Sequence, residues 1–355
     1  MDPTRLSELI GQSRAAAVLR NAIRRQRVTH AYLFRGPQGV GKSTAALLFA
    51  QALNCEHEAR EATGEPCGQC RSCRLIAASN HPDVRLLTTK TGGEQSVIPI
   101  EEMRRSLVYD ANLRPVLGRR KVYLLDPADR TAPRALETVL KTLEEPPPNV
   151  VIILVTAFPA ALPPTVLSRC QQVSFQLAGT AAVAARLEEI GVEAETAASL
   201  AALSGGKVAW AIAAARRPEV LEVRQALLDL CDRTEAMGVA ESLRLAEEVK
   251  QQARRLAQAR EGSEAEEEEA ATPGRASADR ALRAELPWCL DVMARWHRDR
   301  LAGAAGTGAR HYERAVRATL MARHQIQRNA NIDLALEALA IELLVGGAAG
   351  QGVGR

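Results

Sequence analysis

The sequence predicts an α/β domain built on buried parallel strands, interrupted by a cysteine-rich insertion and followed by an all-helical C-terminal half. Three observations carry this expectation. A strand, a glycine-rich loop and a helix follow one another near the N-terminus; four of the seven cysteines fall between residues 55 and 73; and strand signals stop near residue 178. At 355 residues the chain has room for two or three domains with cores of their own. Hydrophobic residues at 46% and charged residues at 25% are those of a globular protein, and the scarcity of aromatics (3%) beside many Ala and Leu leans helical. No apolar run is long enough to span a bilayer and no secretory signal opens the chain, so a cytoplasmic protein without a membrane partner is expected. The formal net charge of +4 permits contact with nucleic acid without arguing for it.

The N-terminal element is a helix with Ala16, Leu19, Ala22 and Ile23 at helical spacing and Arg20, Arg24, Arg25 and Arg27 on its other face, which reads as solvated. Ala31-Tyr32-Leu33-Phe34 is a short apolar strand, and residues 45–53 form a helix. Between them stand Gly36, Pro37, Gln38, Gly39, Val40, Gly41, Lys42, Ser43 and Thr44, which fit the phosphate-binding pattern G-x-x-x-x-G-K-[ST]. Glycines let the backbone close round an anion, successive N–H groups ring a polyphosphate, Lys42 reaches the terminal phosphates and Ser43 ligates Mg²⁺. The bland alternative is a glycine-rich turn that binds nothing.

Cys55, Cys67, Cys70 and Cys73 supply four thiolates, the last three at C-x2-C-x2-C spacing. Crowded into one stretch, they do not suit a secreted disulfide framework; they suit a closed tetrahedral zinc site in a reducing compartment. An Fe–S cluster is the other metal reading, and four thiolates leave no open position for catalytic zinc. His57 and His81 are bystanders.

Asn80-His81-Pro82-Asp83 turns into a strand over 84–87, Thr91-Gly92-Gly93 forms a polar turn, and a helix starts at Ile100. Val122-Tyr123-Leu124-Leu125 is a fully buried strand with Asp126 at its C-terminal edge, where open α/β sheets place ligands; Asp126 reads as the Mg²⁺-holding acid, or else as a helix cap. A helix bearing Leu136, Val139, Leu140 and Leu143 stops at Pro146-Pro147-Pro148. Residues 150–155 are another buried strand, ending at Thr156 on the rim that carries Asp126, where it can sense a terminal phosphate. Ser168-Arg169-Cys170 follows a short helix and leads to a β-like Val173-Ser174-Phe175. Beyond 178 come Ala/Leu-rich helices around Gly205-Gly206-Lys207, long helices over 218–258, and amphipathic helices over 279–346 in which Trp288 and Trp296 pack. Residues 259–278, rich in Glu, read as an acidic mobile loop, and 347–355 as a flexible tail.

The glycine loop, the cysteine module, Asp126, the stretch Leu140-Lys141-Thr142-Leu143-Glu144-Glu145-Pro146-Pro147 and Ser168-Arg169-Cys170, in this order, resemble the bacterial clamp-loader subunits of the AAA+ class. Within it, Asn80-His81-Pro82-Asp83 and residues 98–126 are more similar to the delta-prime branch of DNA polymerase III than to tau/gamma. The specific likeness covers roughly residues 5–215, and the C-terminal helices match in general character only. It implies an AAA+ domain over 1–177 with its zinc module at 55–73, a helical lid over 178–216 and a helical collar over 217–346. It also implies structural Zn²⁺ and ATP or ADP with Mg²⁺. The implied partners are tau/gamma and delta subunits in a hetero-pentameric ring that opens the sliding clamp and places it on primed DNA. Members carry a catalytic Glu in an Asp-Glu-Ala-Asp-like run; here the run is Asp126-Pro127-Ala128-Asp129, and proline cannot polarise water. Arg169 is retained as an arginine finger acting on a neighbour's phosphate. The expectation is a subunit that binds ATP, hydrolyses it poorly and completes the site next door. Some delta-prime relatives have a degenerate P-loop, whereas this one is intact. An active tau/gamma-like motor and a scaffold that binds no nucleotide are the alternatives.

Overall fold

The computed structural model describes residues 3–89, 97–98, 100–264 and 275–345. The chain divides into two compact units, Met1–Ala215 and Arg216–Arg355.

The first unit begins with α1 (Ser13–Arg24), β1 (Ala31–Arg35) and α2 (Lys42–Asn54), then the short helices α3 (Arg60–Thr63) and α4 (Arg71–Ala77) of the cysteine module. It continues through β2 (Val84–Leu87), α5 (Ile100–Met103), which widens into a π-helical stretch over Arg104–Tyr109, and β3 (Lys121–Leu125). Next come α6 (Pro133–Glu144), β4 (Val150–Thr156), α7 (Pro164–Leu167), β5 (Gln171–Ser174) and the helices α8 (Thr180–Glu189), α9 (Ala194–Ser204) and α10 (Val208–Ala215). The five strands pair all-parallel in the order β2-β3-β4-β1-β5.

The sheet is apolar on both faces, so its central strands read as unbroken hydrophobic runs. Alternate residues feed opposite cores: Tyr32, Phe34, Val151, Ile153 and Val155 pack with Leu19 and Phe49, whereas Leu33, Ile152, Leu154 and Leu125 pack with Val139 and Leu143. Pro133 opens α6, and its apolar face lies on the sheet before Pro146 ends the run. At the far edge Asp110 accepts from buried Lys121 Nζ at 2.7 Å and from Tyr123 OH at 2.6 Å. Burial alone would raise its pKa; these donors hold it below the usual carboxylate range. The Asn80–Asp83 turn is a hub of this edge, for Asp83 accepts 2.7 Å bonds from the N–H groups of Val116, Leu117 and Gly118.

The second unit contains α11 (Glu219–Thr234), α12 (Ser242–Glu264), α13 (Arg275–Gly303), α14 (Gly306–Gln327) and α15 (Ile332–Leu344). No helix among the described residues is long and apolar enough to cross a membrane. The acidic stretch expected as a loop over 259–278 is helical at both ends: α12 runs to Glu264 and α13 starts at Arg275. Alanine, glutamate and arginine are good helix formers, and that propensity extends each helix past the boundary drawn from low complexity. Residues 265–274 lie outside the described residues, as do the turn at 91–93 and the tail 347–355.

Trp296 packs edge-on to His297 and Tyr312, with the Arg300 guanidinium 4.6 Å above its ring. His297 is 1% exposed and neither ring nitrogen has a hydrogen-bond partner. Burial, then the neighbouring His311, lowers its pKa to about 4 from 6.5. The unfolded chain therefore binds the proton first. Stability is full above pH 6.5 and is lost as pH falls toward 4, by an amount on the order of 3 kcal/mol. His297→Phe should flatten this acid limb in urea titrations between pH 7 and 4.5; an unchanged pH slope would contradict the assignment.

Candidate nucleotide site and metal centre

The register brings three strand ends to one rim. Arg35 of β1 pairs with Thr156 of β4, and Leu125 of β3 pairs with Leu154. Gly36, Asp126 and Thr156 are therefore neighbours beside the point where strand order departs from chain order, the place where open parallel sheets bind ligands.

Three loop glycines, Gly36, Gly39 and Gly41, have φ values of 149°, 75° and 91° that side chains rarely adopt. A Cβ on Gly36 would stand 2.3 Å from the Phe175 carbonyl oxygen, and Gly41 caps α2 at φ 91°. Lys42, the first residue of α2, is 7% exposed and donates to the Gly36 and Pro37 carbonyls at 2.7 and 2.6 Å. Burial lowers its pKa, and the nearby carboxylates of Asp126 and Asp129 oppose that shift. Asp126 accepts a hydrogen bond from Ser43; burial raises its pKa, Ser43 and Lys42 oppose, and Asp129 adds to the rise. Thr156 is buried; its hydroxyl donates to Asp129 Oδ1 at 2.5 Å and accepts from Phe158 N at 2.9 Å. The loop cation, the hydroxyl of Ser43, Asp126 and Thr156 thus belong to one connected polar set at the N-terminus of α2. Such a set suits a polyphosphate and a divalent cation.

Asp129 is a further carboxylate of this set. It sits in a single 3-10 turn (Ala128–Arg130), three residues after Asp126, and that spacing is the signal that could have exposed it. Lys207 was read only as part of a helix break. Its Cβ stands 3.3 Å from where a Gly39 Cβ would be, and Ala209 N donates to Gly39 O at 3.1 Å, so the turn before α10 covers the loop. No local signal predicts that packing.

Arg169 contacts none of these groups. It follows α7, donates from Nη1 to Thr165 O at 3.0 Å, and pairs through Nη2 with Glu144 Oε1 at 3.0 Å.

The four cysteine sulfurs all lie within 4.8 Å of one another. Cys55 caps the C-terminal end of α2, Cys70 is the N-cap of α4, and Cys67 and Cys73 complete the group. N–H groups of Gln69 and Cys70 point at Cys67 Sγ (3.4 and 3.3 Å), and Cys73 N points at Cys70 Sγ (3.4 Å). Burial raises the pKa of Cys55 and Cys73. At Cys67 burial would do the same, but the Cys70 and Gln69 N–H groups and neighbouring thiols bring it down to about 7. Four soft donors with N–H groups aimed at sulfur can hold a metal ion, and tetrahedral thiolates about 2.3 Å from zinc would need only a small contraction of this cluster. An open cavity of about 610 Å³ borders Cys67 and Cys70. The rings of His57 and His81 are engaged elsewhere, His57 Nδ1 accepting from Ala59 N and His81 meeting Ser72 and Asp83, while the His57 backbone N–H is directed at Cys55. The module is tied back to α2 by Gln51 Nε2, which donates to Cys73 O at 2.9 Å.

Residues 11–178 match the family model described as "DNA polymerase III, delta subunit". The tau subunit of Bacillus subtilis is 35% identical over 193 residues, 54% of this chain and 32% of that protein. The delta-prime subunit of the same organism is 34% identical over 220 residues, 62% of this chain and 64% of that one. Residues 11–178 are similar to the group of DNA polymerase III subunits that includes tau/gamma and delta-prime. Identity is shared evenly between its tau/gamma and delta-prime branches, so the match speaks for the group and not for one subunit. The chain spans less than two thirds of the length of either relative. Among solved structures, a gamma subunit-related protein of Thermotoga maritima superposes on 92% of this chain and 98% of its own at a TM-score of 0.39 and 17% identity. The family-model match covers the strands, the P-loop, the cysteine module and Arg169 together.

Proposed function

We propose that this chain acts as a delta-prime-like clamp-loader subunit: it binds ATP or ADP with Mg²⁺, hydrolyses it poorly, and supplies Arg169 to an ATP site on a neighbouring subunit. The observation that carries this reading is Asp126-Pro127-Ala128-Asp129, a Mg²⁺-side carboxylate followed by a proline where a general base is needed. Asp129, the other carboxylate near Lys42, is already engaged by the Thr156 hydroxyl. In this reading residues 1–177 are the AAA+ nucleotide domain, 178–216 its lid and 217–346 the collar through which tau/gamma and delta partners join a hetero-pentamer. That ring opens the sliding clamp and loads it on primed DNA. Cys55, Cys67, Cys70 and Cys73 hold a structural Zn²⁺.

Gly36 to Thr44 would wrap the phosphates, with Lys42 exchanging its two loop carbonyls for phosphate oxygens, and Ser43 and Asp126 would hold Mg²⁺. Thr156 would sense the terminal phosphate. A second reading, a tau/gamma-like motor, is favoured by the complete P-loop set Lys42–Ser43–Asp126. Equilibrium titration with Mg-ATP tests the nucleotide part. The chain should bind, and Lys42→Ala should weaken binding by roughly 10- to 100-fold, the loss of one charge-assisted bond. Absence of binding in the unaltered chain would replace this proposal with the scaffold reading.

A further inference from the structure

The candidate nucleotide site uses none of the stretch Leu140–Pro147. Glu144 of that stretch is the last residue of α6, where a helix gathers negative partial charge and a carboxylate is unfavourable without a cation nearby. The cation is Arg169, whose Nη2 lies 3.0 Å from Glu144 Oε1. A second anchor fixes the other terminal nitrogen, for Nη1 donates to the Thr165 carbonyl at 3.0 Å. The guanidinium is therefore held at two points from two elements, α6 and α7, while 36% of the side chain stays exposed.

Glu144 is 53% exposed, and an ion pair so placed contributes little to stability. Its consequence is on orientation. A free arginine samples many rotamers, and ordering them costs rate each time an exposed guanidinium must meet a phosphate. Held by Glu144 and Thr165, the planar fork is ordered before any neighbour arrives.

We infer that Glu144 is a positioning residue for Arg169, pre-orienting its guanidinium for the phosphate of a neighbouring subunit. The inference rests on the proposal that Arg169 acts in trans. No bond is made or broken by Glu144, whose ion-pair partner is Arg169.

The test is steady-state ATP turnover of the complex reconstituted with tau/gamma and delta subunits of the same organism, using unaltered, Glu144→Ala, Glu144→Gln, Arg169→Ala and doubly substituted chains. Glu144→Ala should lower kcat by roughly 3- to 10-fold, the effect of re-ordering one long side chain, with KM for ATP and complex assembly unchanged. Glu144→Gln keeps an acceptor and should recover part of the loss. In the Arg169→Ala background, Glu144→Ala should change nothing further. An equal loss from Glu144→Ala with Arg169 already removed would overturn the inference, as would an increase in kcat, which would make Glu144 a restraint on the finger. If Arg169→Ala itself leaves turnover unchanged, the proposal of trans action fails, a result distinct from either outcome at Glu144.

Discussion

Arg169→Ala is expected to lower ATP hydrolysis at the neighbouring site by about 10³–10⁵-fold, the factor an arginine finger supplies to phosphoryl transfer. The geometry supports this in two ways. Among the described residues the guanidinium of Arg169 bonds to the Thr165 carbonyl and Glu144, not to Lys42, Asp126 or Thr156. It is also partly exposed at the surface, and its removal leaves no buried charge behind. The loss should therefore appear without loss of folding: circular dichroism and the thermal midpoint of the altered chain should match the unaltered one. Arg169→Lys should not restore activity, because an ammonium cannot present the planar fork that matches two phosphate oxygens. Steady-state turnover of the reconstituted complex gives the first reading, and a single-turnover measurement then gives the size of the loss at the site that depends on Arg169. A lysine variant as active as the arginine form would mean that only positive charge is needed.

Stripping the metal should have the second largest effect, and on stability. Structural zinc in small cysteine sites contributes on the order of 10 kcal/mol of apparent folding free energy at neutral pH. Here a metal held by the four cysteines would staple a larger frame: Cys55 ends the helix that begins at Lys42, and Gln51 binds the carbonyl of Cys73. Glu65, in the same module, accepts from the N–H groups of Leu6 and Ser7 and pairs with Arg20, so the chain's first turn is fastened to it. Loss of metal should release the module and fray α2 from its C-terminal end. A chelator can approach through the cavity beside Cys67 and Cys70. The expected result is release of one zinc per chain and a thermal midpoint lower by ten degrees or more, roughly what several kcal/mol means for a unit of this size. Acid should promote release, because each thiolate must be deprotonated to bind. A metal-free chain that melts with the loaded one would show that the cysteines are not structural ligands.

Much of this was legible in the sequence because the signals are local. The strand, glycine loop and helix from Ala31 to Leu53 are contiguous, and the strands at 121–125 and 150–156 are apolar runs whose polar ends fall where buried parallel strands terminate. Cysteine spacing is likewise written in one short stretch. What escaped was carried by packing between distant segments. Asp129 gains its interest only when β3 and β4 pair and bring Thr156 to it; Lys207 covers the loop only because the turn before α10 folds back on Gly39. The Glu144–Arg169 pair joins the ends of two helices separated by a strand, and no periodicity reports it. The acidic segment misled for another reason: low complexity suggested a loop, while helix propensity carried α12 to Glu264.

A chain that binds nucleotide yet turns it over poorly should retain ATP intact. The most direct measurement is hydrolysis of Mg-ATP by the purified chain alone, under conditions where binding has saturated its site, followed for a single turnover. The proposal expects bound ATP to persist essentially unhydrolysed, and Pro127→Glu to be the substitution that restores turnover. Rapid hydrolysis by the unaltered chain would contradict it and make this subunit a motor in its own right.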